Sequence, residues 1–356
     1  MAADLIFFVL FLVFIAIFLA IDLGIFDRHS HKVSFREAAI WTFVWVGLAV
    51  AFYFFIRNAG YIMHGLDSVE AIEHKIDINK HPIKIDGLSL QDARKVYDKN
   101  LALEYITGYL LEKTLSIDNI FVIFMIFVSF GIPEKYYKRV LYWGIIGAVV
   151  LRFIFIFAGA ALLHAFDWMF YVFGAVLLYS GGKMFFERNK EEKINTKDHP
   201  VVKFASKRFN VFPRLVGEHF FLRINKKIFI TPLFIVLIVI EFSDVIFAVD
   251  SIPAIFSVTS DQYIVFYSNI FAILGLRSLF FFVVRIIDVF RYLKIGISFL
   301  LVFIGLKLIL HKWLDDIGFE TTHSLIIIVG TLILSILLSI LIPDKNKKAQ
   351  IDEPKN

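Results

Sequence analysis

Nine apolar blocks, each of roughly twenty residues, constrain this chain more than any other feature. They run at about 5–26, 38–56, 103–130, 140–163, 168–186, 229–257, 263–285, 289–310 and 323–342 of the 356 residues. A stretch of that length crosses the hydrocarbon core as a helix, whereas barrel strands are shorter and alternate in character. The chain is 59% hydrophobic and holds 42 Phe, beyond the roughly one-half apolar share of a soluble domain. The expected fold class is all-α: a polytopic membrane protein with about nine transmembrane helices. No Lys or Arg precedes the first block, and its apolar run is too long for a cleaved signal, so it should persist as a helix.

Orientation follows from Lys and Arg in the connections. Alternate connections place 24 of them on one side and 8 on the other, seven of the 8 in the segment 57–100. The expected topology has the N-terminus outside and the C-terminus in the cytoplasm, in a multi-pass plasma or inner membrane. The net charge of +5 is then accounted for by topology and anionic membrane lipid, and calls for no nucleic acid. The absence of cysteine excludes disulfides, thiol redox chemistry and thiolate metal sites.

A shift of 132 residues lays the third block over the sixth. Glu112-x5-Asp118-Asn119-Ile120-x-x-Ile123-Phe124 meets Asp244-x5-Asp250-Ser251-Ile252-x-x-Ile255-Phe256. Arg152 then falls on Arg277 at a shift of 125, and Lys183 on Lys307 at 124. Each copy is three blocks, and an odd number of crossings inverts the second copy. The expectation is an inverted repeat of the kind that builds secondary transporters, with a site near the midplane. The chain then divides into two N-terminal helices (1–56), an extracytoplasmic loop (57–100), repeat 1 (101–186), a basic cytoplasmic loop (187–228), repeat 2 (229–310), a C-terminal helix (311–342) and a cytoplasmic tail (343–356).

Acids inside these blocks need a reason, because an ionised side chain at mid-membrane costs about 2.5–3.5 kcal/mol. Six residues on a helix turn 600°, so Glu112 and Asp118 point about 120° apart. Glu112, Ser116 and Asn119 share one face, as do Asp244, Ala248 and Ser251, while Asp118 and Asp250 point elsewhere. Pro253 would free the Val249 carbonyl and favour local unwinding. Carboxylates with Asn and Ser oxygens suit hard divalent cations, Mg²⁺, Ca²⁺ or Mn²⁺. The candidate metal ligands are Glu112, Asp118, Asn119, Glu241, Asp244 and Asp250. A supporting shell would comprise Ser116, Ser251, Lys113, Arg152, Arg277, Lys183, Lys307 and Asp22. The same acids could instead be structural partners of those Lys and Arg residues. His64, His74 and His81 read as a solvated loop, with an outer metal site as the alternative.

The segments ALEYITGYLLEKTLSIDNIFVI (102–123), TPLFIVLIVIEFSDVIFAVDSIPAIF (231–256), SNIFAILGLRSLFF (268–281) and AIDLGIFDRHSHKVSFREA (20–38) resemble the TerC family of integral membrane proteins. The likeness covers about residues 5 to 310. It implies membership of a LysE-type superfamily of exporters built from inverted three-helix repeats. It also implies links to manganese export, metal supply to exported enzymes, alkaline-pH response and tellurite resistance. The family's motif acids carry over onto Glu112, Asp118, Glu241, Asp244 and Asp250, with Asn119 beside them. The segment 57–100 is longer than the family pattern leads one to expect.

The expected function is a non-enzymatic secondary transporter that exports divalent cations, Mn²⁺ first among them, with proton coupling open. No prosthetic group is expected. The alternative is a membrane scaffold or stress-response component that transports nothing.

Overall fold

The computed structural model describes residues 2–22, 34–166, 168–187, 200–224, 226–285, 292–316 and 318–342. Its helices are α1 (Ala2–Asp22), α2 (Phe35–Ala59), α3 (Tyr61–His64), α4 (Val69–Asn79), α5 (Leu90–Ser129), α6 (Tyr137–Ala165), α7 (Met169–Glu187), α8 (Pro200–Arg208), α9 (Pro232–Phe256), α10 (Gln262–Ile273), α11 (Leu276–Arg285), α12 (Leu293–Ile309), α13 (His311–Asp316) and α14 (Thr321–Leu341). Three short strands, β1 (Asn210–Val211), β2 (Phe221–Ile224) and β3 (Lys227–Ile230), form one sheet in the order β1-β3-β2. The fold is all-α apart from that sheet.

Among the described residues six helices are long and apolar enough to cross a membrane, or seven if α10 and α11 form one bent span. The other expected spans, 103–130 and 289–310, coincide with α5 and α12. Charged side chains cluster in the membrane-length part of α5, and α12 has only 17 residues. At 40 residues, α5 is about 60 Å long, twice the thickness of a hydrocarbon core of about 30 Å. The outward faces of α1, α2 and α14 remain apolar, with Leu10, Phe43 and Leu341 among the exposed side chains, as a lipid-facing surface requires.

One expectation needs correction, and the connection 57–100 proves to hold α3, α4 and the first turns of α5. Ser68 and Ser89 cap α4 and α5 by accepting from the backbone N–H of Ala71 and Asp92, so α5 starts at Leu90, ahead of the block beginning near 103. Pro253 does not unwind α9; it lies in the last turn of a helix that runs to Phe256. The break occurs between α10 and α11, which meet at 47°. Gly275 has φ +74° there, and a Cβ at this position would collide with the Trp45 side chain. In the expected basic loop 187–228, the part from Pro200 onward holds α8 and the sheet, while 188–199 lie outside the described residues, as does the tail 343–356.

Small residues let the helices approach closely. A Cβ on Gly174 would sit 2.8 Å from the Gly305 carbonyl, and one on Gly181 would sit 2.9 Å from the Ser298 carbonyl. That register makes α7 and α12 antiparallel, joined by the small-residue packing typical of membrane helices. The buried apolar side chains form two clusters. Along α5 the division falls between Leu115 and Ile120, and along α9 between Ile240 and Ala248. The intramembrane acids Asp118, Glu241 and Asp244 occupy that junction.

Candidate cation site

Glu112 on α5 is fully buried, and Arg152 on α6 donates to its carboxylate. The same guanidinium donates to Ser251 Oγ on α9 at 3.1 Å and to Asn269 Oδ1 on α10 at 3.0 Å. Asn269 returns a hydrogen bond to the second Glu112 oxygen at 3.3 Å, and Ser116 Oγ donates to the first at 3.5 Å. Arg152 also reaches to 3.6 Å from Asp244 Oδ1. One rigid, permanently charged fork therefore serves two carboxylates and joins four helices. Glu112 and Asp244, the positions aligned by the shift of 132, meet on a single arginine.

Asp244 is only half committed to this clasp. Its Oδ2 is buried without a hydrogen-bond partner among the described residues. Asp244 and Glu241, one turn apart on α9, line a small cavity of about 20 Å³ with Gly144, Ile145 and Phe247. A void of that size holds about one water or one bare ion. The Glu241 carboxylate lies directly on Gly147 of α6, filling the space a Cβ would take. Glycine is what admits the carboxylate to this position.

Asp118 and Asp250 lie elsewhere, as their helical angle predicts. Both line an open cavity of about 820 Å³ between α5, α7, α9 and α12. Asp250 Oδ1 accepts from Ser180 Oγ at 2.6 Å, and Lys294 Nζ stands 3.8 Å from Asp118 Oδ1. Lys183 also lines this cavity. The acids from the two aligned segments thus form two sites rather than one cage. Among the described residues no three His, Asp or Glu side chains stand close enough together to hold a metal ion. Glu112, expected as a ligand, is instead a fixed partner of Arg152.

The remaining candidates line neither of these two cavities. Asn119 is buried beside Asp118 on α5. Lys113 donates to the Ala272 carbonyl at 3.1 Å, one of the acceptors left without a helical donor by the α10–α11 break. Lys307 donates to the Ser257 carbonyl at the end of α9 at 2.7 Å. Arg277 is buried in the first turn of α11. Asp22 ends α1, and its side chain lies outside the described residues.

Sequence reasoning overlooked Asn269, Ser180 and Lys294. The first two carry the same signal as the acids, a polar group within an apolar block. Lys294 lies at a helix start, where it reads only as a topology charge. His64 and His81, expected in a solvated loop, are buried. His64 bridges Asp4 Oδ1 at 2.7 Å and Asp261 Oδ2 at 3.2 Å, and His81 meets Glu104 Oε1 at 2.8 Å. Asn79 donates to Asp261 at 2.7 Å, and Thr259 to Glu104 at 2.6 Å. Burial opposes the charged imidazolium at His64, but Asp261 and Asp4 outweigh it and raise its pKa. At His81 burial is likewise outweighed, by Glu104 and then Asp261, and the pKa rises. His74 is exposed.

Comparison with known proteins finds relatives along almost the whole chain. A 40% identical relative over 345 residues, covering 97% of this chain and 95% of its own length, is "Uncharacterized membrane protein STKORF319" of Myxococcus xanthus. The protein named "Putative membrane-bound redox modulator Alx" of Escherichia coli (strain K12) is 39% identical over 330 residues, 92% of each chain. An uncharacterized membrane protein of Rickettsia bellii is 36% identical over 94% of this chain and 96% of its own. No solved structure matches. The model of the integral membrane protein TerC family matches residues 97–348, and the chain belongs to that family.

Proposed function

We propose that this protein is a secondary transporter that exports divalent cations, Mn²⁺ first among them, from the cytoplasm across the plasma or inner membrane. The observation that carries the reading is that Asp118 and Asp250, from two different helices, share one open cavity of about 820 Å³, with the small Glu241–Asp244 site on the same helix α9. Both sites offer oxygen donors alone, which favours hard cations; Ca²⁺ and Mg²⁺ use the same donors and differ in size and hydration. The Lys and Arg asymmetry assigns the end that holds the C-terminus of α7 and the N-terminus of α12 to the cytoplasm. A cation leaving the cytoplasm passes the level of Glu241 and Asp244 on α9, exchanges water for carboxylate oxygens, and moves about 9 Å outward along α9 to Asp250, which shares its cavity with Asp118. Exchange of that cation for protons at the same carboxylates would couple export to the proton gradient.

The alternative is a membrane scaffold without transport, which would use the folded 57–100 segment and the β1–β3 unit as partner surfaces. A redox role through thiols is closed to a chain with no cysteine. Everted vesicles containing a Mn²⁺ indicator decide between these readings. Export appears as uptake that is lost in Asp118→Asn/Asp250→Asn. Uptake unchanged in that variant, or normal cell manganese in a deletion strain, overturns the transport reading.

A further inference from the structure

The two basic partners of the intramembrane acids differ in a way that assigns them different roles. Arg152 is 1% exposed and is held through one terminal nitrogen by Glu112, Ser251 and Asn269. It cannot lose its proton, and it cannot leave without stranding a buried carboxylate. Lys294 is 29% exposed at the side chain, and its ammonium stands 3.8 Å from Asp118, the outer limit of an ion pair. Lysine carries a compact charge on a flexible stem. Lys294 is the second residue of α12, and Lys183 lies one turn from the end of α7. Because α7 and α12 are antiparallel, both stems can swing toward the same end of the bundle and place their charges in water, as lysines near membrane helix ends do.

We propose that Lys294 and Lys183 act as tethered cations that occupy the Asp118–Asp250 cavity until a divalent cation displaces them. This inference rests on the transport reading above. The cavity is lined by Asp118, Asp250 and Glu187 against Lys183 and Lys294, so the acids are largely neutralised when the cavity holds no ion. A divalent cation added to that set would meet two like charges in the same cavity. Binding therefore requires the ammoniums to withdraw, and their return drives the cation off the carboxylates. The arrangement keeps two intramembrane acids solvated by protein when no cargo is bound, and it lowers affinity in exchange for release.

The test is Mn²⁺ binding by the purified full-length protein in nanodiscs, measured by titration calorimetry alongside Mn²⁺ flux in vesicles. Lys294→Met keeps the stem and removes the charge. It is expected to tighten Mn²⁺ binding about tenfold or more, since a like charge within a few ångströms is removed, while turnover falls because release slows. Lys294→Arg is expected to weaken binding, because a guanidinium fork holds a carboxylate bidentately. Lys183→Met, on a different helix, should reproduce the tightening. If both Met variants remain monodisperse and bind Mn²⁺ no more tightly than wild type, the inference falls. If wild type binds no Mn²⁺, or Asp118→Asn/Asp250→Asn binds it unchanged, the transport site itself is refuted and the inference with it. Loss of binding in the double Asn variant, with no tightening in the Met variants, refutes the tethered cations alone.

Discussion

Arg152 and Glu112 form an ion pair closed to solvent, at 1% and 0% side-chain exposure, in the middle of the bundle. A buried pair adds little net stability over a well-packed apolar one, but removing one partner is costly. Arg152→Met leaves Glu112 with Asn269 and Ser116 alone, and is expected to cost about 3–5 kcal/mol. Glu112→Gln retains hydrogen bonds and should cost less. The double variant Arg152→Met/Glu112→Met should be more stable than Arg152→Met, a non-additivity of contacting residues. Thermal unfolding in detergent measures all three.

Gly147 and Gly182 make a matched comparison. The Glu241 carboxylate occupies the space of a Cβ at Gly147, while nothing lies within 4 Å of a Cβ at Gly182. Gly147→Ala must displace that carboxylate or separate α6 from α9, at a cost of about 1–3 kcal/mol. Gly182→Ala, in an open helical position, should be neutral or gain up to about 1 kcal/mol. The same unfolding measurement checks both. Equal effects would show that Glu241 does not depend on the glycine.

The histidine cluster gives a pH dependence whose sign is fixed. His64 and His81 hold protons more tightly when folded than the ordinary value of 6.5. A raised pKa contributes stability that is complete below 6.5 and is lost as pH rises through the folded value. Asp261 is shifted down, with burial opposing and His64 and Lys75 prevailing, so its contribution is lost only in acid. Hydrogen exchange across 61–81 should therefore accelerate as pH rises from about 6 to 9, beyond the intrinsic rate change. His64→Gln and His81→Gln should each reduce that dependence.

How much of this was legible depends on the distance over which the deciding interaction acts. The 120° angle that sends Asp118 and Asp250 away from Glu112 is a property of one helix, and it was readable. The aligned segments paired Glu112 with Asp244 in sequence, without fixing which of the acids would share one partner. That a single arginine would lock Glu112, leaving Asp244 half free, depends on where α6 packs, and Arg152 was only one of several possible partners. Pro253 is a strong local signal, yet so near the end of α9 it forfeits one bond to the Val249 carbonyl and leaves the helix intact. The actual break at Gly275 depends on Trp45, some 230 residues earlier. The serine caps of α4 and α5 were present in the sequence, but burial of His64 and His81 requires Asp4, Glu104 and Asp261 from distant segments.

Asp118 and Asp250 provide the most direct test of the two-site arrangement. If both act on one ion in one cavity, each is necessary and neither substitutes for the other. Asp118→Asn and Asp250→Asn should each lower the initial rate of Mn²⁺ flux in vesicles by at least about tenfold, and the double variant should be little worse than the more severe single one, because residues that act as a unit are non-additive. Glu241→Gln acts at the second, smaller site. It should leave binding at the open cavity intact while blocking passage, so Mn²⁺ titration and Mn²⁺ flux would separate. Flux losses that multiply between Asp118→Asn and Asp250→Asn would instead mean that the two carboxylates serve different ions or different steps. Their shared cavity would then be a common vestibule and not a binding site.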